Sequence, residues 1–183
     1  MVKLSESKVL SSIGRFEDNL RLDSDKLFIV PFQQSDKMDW FKIDSNPLVR
    51  KFLPGKLPTR QQAYDYIDES ITSYSRNGFG RYAVRLRETG ELVGMCGFLL
   101  EDYGVDFGYR YSPSFWAMGI GYEAARSVLD FGLDSIKAEK IVALVLEENT
   151  ASVRIINKLK FSFEGKISFE NYDNVLKYSM MLP

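Results

Sequence analysis

The chain is 183 residues long and 45% hydrophobic, with 24 Lys and Arg against 25 Asp and Glu, a net charge of −1; this suffices for one well-filled core and supplies no general field to draw nucleic acid or an anionic membrane. One cysteine, Cys96, and no histidine exclude an internal disulfide, a zinc site, a Ser-His-Asp triad and a Cys-His dyad, so no metal is expected and any chemistry falls to carboxylates, hydroxyls, amides or backbone groups. The longest apolar runs, such as 141–146, are too short to span a bilayer, and no secretory pattern opens the chain, which points to a soluble cytoplasmic protein.

Residues 1–21 carry Val9, Leu10, Ile13, Phe16 and Leu20 at near-helical spacing, read either as an amphipathic helix docked on the body or as a frayed terminus. A first strand is predicted at 26–32, closed by Pro31, and a helix starting at Ser35 or Asp36 runs through Met38, Trp40 and Phe41 to Asn46-Pro47. A short helical turn through Leu48, Val49 and Phe52 and a loop at 53–58 follow. Thr59 with Gln62 forms a capping box for a helix whose Ala63, Tyr66, Ile67, Ile71 and Tyr74 share one face, ending near Arg76 before Asn77-Gly78. Strands at 79–87, 91–100 and 105–111, joined by short turns, make an antiparallel meander. Cys96 lies in an apolar run and reads as a small core residue.

A loop containing Gly119 and Gly121 joins the strand at 105–111 to a helix whose Ala124, Val128, Phe131 and Gly132 share one face, with Glu123, Arg126 and Asp130 on the other. The two glycines remove side chains where backbone must approach something bulky, and a helix N-terminus offers free N–H groups and a positive dipole end to an anion. A tight strand-to-helix turn without a ligand accounts for the same residues. The run 140–146 is apolar after its lysine, as in a strand buried on both faces, and the right-handed crossover rule places it parallel to 105–111. Asn149 is the expected N-cap of a last helix, and strands at 161–169 and 175–182 flank a turn at 171–174.

Four stretches together resemble one family in order and spacing. They are Trp116-Ala117-Met118-Gly119-Ile120-Gly121-Tyr122-Glu123-Ala124, the helix from Asn149 through Ser152 to Lys158-Leu159-Lys160-Phe161, Thr89-Gly90-Glu91-Leu92-Val93-Gly94, and Val105-Asp106-Phe107-Gly108-Tyr109. Over residues 22–182 the chain resembles the GNAT-superfamily acyl-CoA N-acyltransferases, and within them the ribosomal-protein N-terminal (RimJ/RimL-like) acetyltransferases. That resemblance implies an α+β GNAT fold: a mixed, mostly antiparallel sheet of six to seven strands with a parallel pair at the cofactor site, flanked by helices. It makes 22–183 a single acetyltransferase domain behind an extension at 1–21. Two positions depart from the pattern: Lys160 stands where the family usually has Gly, and Ile156 where many members carry a tyrosine general acid.

The resemblance implies acetyl-CoA as donor and a primary amine as acceptor. Backbone groups of Tyr109 and Tyr111 would pair with the pantetheine, and the N–H groups of Met118, Gly119, Ile120, Gly121 and Tyr122 would hold the pyrophosphate. Asn149 would touch the cofactor and Ser152 would protonate the departing thiol; an N-cap and a first-turn residue are the plain alternatives. Asp106 is the first choice for a base, against a plain surface carboxylate, with Glu101, Asp102 and Glu147 as alternatives. Arg154 and Lys158 either reach the ribose phosphate or form a solvated basic face. The acceptor is expected between 32–58 and the turn at 169–174, where Phe52, Phe169 and Tyr172 shape a pocket or belong to the core, as Trp40 does. Acceptors weighed are a protein or peptide N-terminus and a small amine such as an amino acid, polyamine or drug; a non-catalytic acyl-CoA-binding module is the third reading. Expected partners are acetyl-CoA and that amine, without nucleic acid or membrane, in a monomer or homodimer.

Overall fold

The computed structural model describes residues 20–182, so the helix expected at 1–21 lies outside the described residues except for its last two. A short hairpin of β1 (Leu22–Asp23) and β2 (Leu27–Pro31) leads into helices α1 (Lys37–Asp44), α2 (Pro47–Arg50) and α3 (Arg60–Asn77). The meander β3 (Arg81–Leu86), β4 (Leu92–Glu101) and β5 (Gly104–Tyr111) follows, then α4 (Ile120–Ser135), β6 (Lys140–Leu146), α5 (Thr150–Lys158), β7 (Ser162–Phe169) and β8 (Tyr172–Met181). They form one sheet in the order β1-β2-β3-β4-β5-β6-β8-β7, antiparallel except for β5 and β6. Eight strands replace the expected six to seven, because β1 is two residues long and too short for any periodicity to reveal.

Helices cover both faces of the sheet. On one, α4 and α5 pack over Val93, Phe98, Phe107 and Ile141; on the other, α1 and α3 close a second cluster around Trp40, Ile67, Leu92 and Met95. β4 feeds both clusters because its alternation is reset by a bulge between Leu92 and Gly94, opposite Arg85 and Val84. Trp40 is fully buried, stacked on Tyr66 at 5.2 Å and edge-on to Phe32 at 5.8 Å; truncating it to Ala would cost about 3–5 kcal/mol. Cys96 is a core residue as read, and burial pushes its thiol up to about 12.

Local signals explain the helix ends. Gln62 N–H donates to Thr59 Oγ1 at 3.3 Å while Thr59 N–H donates to Gln62 Oε1 at 2.8 Å, the reciprocal box that starts α3. α5 ends in a Schellman turn: Phe161 N–H reaches the Ile156 carbonyl at 3.3 Å and Lys160 N–H the Asn157 carbonyl at 3.0 Å. Lys160 therefore holds the left-handed conformation (φ 68°) that glycine normally occupies. The last hairpin is tighter than the sequence suggests, turning at Glu170-Asn171 with Glu170 at φ 51°, so Tyr172 already belongs to a strand. No helix among the described residues is long and apolar enough to cross a membrane.

Candidate active site

The parallel pair comes apart. β5 and β6 are in register only at Val105–Ile141 and Asp106–Val142, although β5 continues to Tyr111 and β6 to Leu146, where it is still paired with β8. Residues 107–111 therefore present an unpaired edge inside the sheet. Ser112 N–H donates to the Val93 carbonyl of β4 at 2.8 Å, and because successive peptides of a strand point to opposite edges, the backbone groups of Tyr109 and Tyr111 face the gap. The Tyr111 carbonyl already accepts the Trp116 indole N–H at 2.9 Å, which leaves its N–H and the Tyr109 peptide groups for a ligand amide.

The gap ends against the N-terminus of α4. Gly119, at φ 81° with open space where a Cβ would stand, is its N-cap, and the first helical bond is Glu123 N–H to the Gly119 carbonyl at 3.1 Å. The N–H groups of Gly119, Ile120, Gly121 and Tyr122 thus precede the helical ladder and form a concentrated anion site. Gly121 serves a different need: a Cβ there would lie 3.2 Å from both Ile155 Cδ1 and Tyr111 Cε2. The loop is pinned from behind, since Lys26 Nζ donates to the Met118 carbonyl at 3.2 Å. Glu123 Oε1 accepts Ser24 Oγ and Lys26 N–H, both at 2.8 Å, so this first-turn carboxylate is bound to the β1–β2 hairpin.

α5 supplies the third wall. Asn149 Oδ1 accepts Ser152 N–H at 3.2 Å as a helix cap, which leaves the Asn149 amide donors for other partners. The Tyr109 hydroxyl lies 2.9 Å from Ser152 Oγ and 3.2 Å from the Ser152 carbonyl. Burial holds the Tyr109 phenol well above its ordinary pKa, against the opposing hydrogen bond from Ser152, so it remains a proton donor near neutrality. Tyr109 has one hydrogen for the Ser152 carbonyl and Oγ; when Oγ takes it, the serine's own hydrogen is free to point into the gap. Ile156, at the position of the family tyrosine, is 1% exposed and part of the core.

These walls enclose a cavity of about 510 Å³ that reaches both faces of the sheet through the gap. On the α4–α5 face it meets Tyr109, Tyr111, Gly119, Gly121, Tyr122, Asn149 and Ser152, all expected from the sequence, together with Arg154. On the α1–α3 face it meets Leu48, Val49, Phe52, Leu53 and Arg110. Tyr172 hydroxyl to Leu53 carbonyl, at 3.4 Å, ties the last hairpin to this loop. Met118 and Ile120 do not line it: Ile120 is anchored in the core and Met118 is 53% exposed, so only their backbone is available. Lys158 Nζ sits 3.8 Å from the Tyr122 ring centroid.

The expectation of a free carboxylate base at Asp106 is not met by the geometry. Its carboxylate is ion-paired with Arg81, whose side chain is 6% exposed, and Asp106 is absent from the cavity wall. Asp106 shares with Gly108 and Arg110 the face opposite Tyr109, but it stands where β5 is still paired with β6, and the buried Arg81 guanidinium packs on Gly108 and holds its carboxylate there. Glu101, Asp102 and Glu147 do not line the cavity either. Arg110 is the residue that sequence reasoning missed; its one signal was a guanidinium within an otherwise largely apolar and aromatic strand.

Comparison with known proteins assigns the family. The model of the acetyltransferase (GNAT) domain matches residues 26–162. The chain belongs to the GNAT acetyltransferases. It is accordingly an acetyl-CoA-dependent acetyltransferase, with the mixed sheet and single parallel pair of that fold. It is 27% identical over 161 residues to the uncharacterized N-acetyltransferase YoaA of Bacillus subtilis, covering 86% of this chain and 91% of YoaA. It is 34% identical over 108 residues to the uncharacterized N-acetyltransferase p20 of Bacillus licheniformis, a match that spans 57% of this chain and 60% of p20. RimL, the ribosomal L7/L12 α-N-protein acetyltransferase solved in complex with coenzyme A, superposes with a TM-score of 0.77 at 16% identity, over 89% of this chain and 98% of that one.

Proposed function

We propose that the protein acetylates the α-amine of a peptide or protein N-terminus. The observation that carries this reading is that, among the described residues, no carboxylate lines the cavity. Attack on a thioester needs a neutral amine, and without a base in reach the amine must lose its proton unaided. An α-amino group, with a pKa of about 7.7–8.0, is neutral roughly 200- to 300-fold more often near pH 7.5 than an alkyl ammonium with a pKa of about 10.4. The fold likeness to RimL, a protein α-N-acetyltransferase by name, supports the same class of acceptor.

Acetyl-CoA supplies the acetyl group as a thioester and leaves as the thiol. In this reading Tyr109 and Tyr111 hold the pantetheine by its amides along the open edge of β5, and the peptides of residues 118–122 take the pyrophosphate. Arg154 stands on the same wall and adds positive charge toward the phosphates. The amine enters from the α1–α3 face past Val49 and Phe52. Ser152 gives its proton to the departing sulfur and is reprotonated with the proton that the attacking nitrogen loses, so the cycle closes, while Tyr109 holds the serine in place through their 2.9 Å contact; Asn149 orients the serine by capping its N–H.

Thiol release from acetyl-CoA, followed with a panel of short peptides, their N-formylated forms, free lysine side-chain analogues and spermidine, tests the proposal. Release with free peptide amines and none with blocked ones is expected. A rate with spermidine or a lysine analogue that equals or exceeds every peptide rate overturns it.

A further inference from the structure

The acceptor end of the cavity carries a positive charge that the described residues leave partly unbalanced, and this bears on which amines fit. Asp44, with a side chain 4% exposed, accepts Arg110 Nη1 at 2.8 Å and Arg50 Nη1 at 3.4 Å on the same oxygen, Oδ1. Among the described residues it is the one carboxylate within ion-pair distance of either arginine, so two guanidinium charges meet one negative charge. The arginines divide their work. Arg50 turns its Nη2 onto the carbonyls of Pro54 and Lys56, at 3.1 and 3.4 Å, and so shapes the loop. Arg110 lines the cavity, and its Nη1 is the one nitrogen engaged with a described residue.

The Arg110 side chain is 19% exposed, and its guanidinium is held over the rings of Tyr66 at 5.1 Å and Trp40 at 5.9 Å. Those rings and Asp44 fix the plane and direction of the fork, leaving Nε and Nη2 for a partner, and a partly desolvated guanidinium with two free donors matches a carboxylate. A polycationic acceptor would meet this charge with no carboxylate among the described residues of the wall.

Resting on the reading of the cavity as the site of α-amine acetylation, we propose that Arg110 determines specificity by binding a carboxylate on the acceptor, and that the preferred substrates are peptides with Asp or Glu within the first two residues. The amine and the carboxylate then lie on one short segment, the amine toward the gap and the carboxylate toward Arg110.

The test uses the wild-type protein with acetyl-CoA and paired peptides that differ only in Glu or Gln at the second position, alongside free glutamate and spermidine. A charge-assisted contact of this kind predicts kcat/KM about tenfold higher for the Glu peptide, carried mainly by KM, and Arg110→Gln brings the ratio of the pair to about one. Equal kcat/KM for the two peptides in the wild type overturns the proposal while leaving peptide acetylation intact. Turnover of glutamate with no peptide turnover supports carboxylate recognition and overturns the peptide reading. A preference for spermidine overturns both. The wild-type comparison is decisive even if the Arg110 variant fails to fold.

Discussion

At one end of the cavity the groups offered to a ligand are peptide N–H and C=O groups of β5 and of the first turn of α4, with Ser152 and Asn149 from the start of α5. At the other end they are side chains: Leu48, Val49 and Phe52 from the α2 region and Arg110 from the opposite face of β5. The first end is fixed by chain geometry, a strand deprived of its partner and a helix terminus set against the gap. The second rests on one ion-pair cluster beneath a short helix and a loop. A shared donor calls for the first kind of construction, because backbone groups are the same whatever the side chains. Acceptor choice calls for the second, in which one substitution redirects recognition without disturbing the sheet.

The largest effect that would sharpen this contrast lies at Ser152. Ser152→Ala should lower kcat about 100-fold, as loss of a positioned acid does, while KM for acetyl-CoA stays within about twofold. Tyr109→Phe should fall between the variant and the wild type, because Ser152 keeps its own proton but loses its 2.9 Å partner. Steady-state kinetics with one peptide measures both, and a fully active Ser152→Ala protein would remove the serine from the mechanism.

Next in size is the backbone cradle. Gly121→Val puts a branched side chain where a single Cβ is already 3.2 Å from Tyr111 and Ile155, forcing the helix start away from the gap. Displacements of this order cost about tenfold or more, so calorimetry should find CoA affinity lowered by that factor with helix content unchanged. If the variant instead shifted acceptor preference at constant CoA affinity, the division of the cavity into two ends would be wrong.

How much of this could be read from the sequence follows the same division. The strand, loop and helix of the donor end are consecutive, and their signals are local: alternation in 105–111, two glycines before an amphipathic helix, an Asn that caps. Among the described residues, seven of the eight strands and every α-helix could be placed in this way. The acceptor end was expected near 32–58 and Tyr172 from the resemblance, but it also brings together Asp44, Arg50 and Arg110, and no local pattern marks residues so distant as neighbours. The ion pair at Asp106 was hidden for a related reason. Its position beside a family motif suggested chemistry, but the face a strand residue occupies, and the Arg81 waiting there, are set by pairing across β3 and β4.

The smallest effect concerns the fold rather than either end. Lys160→Gly relieves a left-handed lysine at the C-terminus of α5 and should add about 1 kcal/mol of stability, a rise in Tm of roughly 2–4 °C in a calorimetric scan, with kcat unchanged. A fall in Tm would mean that the lysine side chain contributes more than its backbone costs.

The central claim is that the cavity acetylates an amine that deprotonates without help from the chain, and the pH dependence of kcat/KM with a peptide acceptor tests it most directly. The account predicts a rise of one log unit per pH unit that levels off at the peptide's own amine pKa, about 7.7–8.0, and moves with that pKa when the terminal residue is changed. A profile that levels off at one fixed lower pH, whatever the peptide, would reveal a basic group of the protein and contradict it.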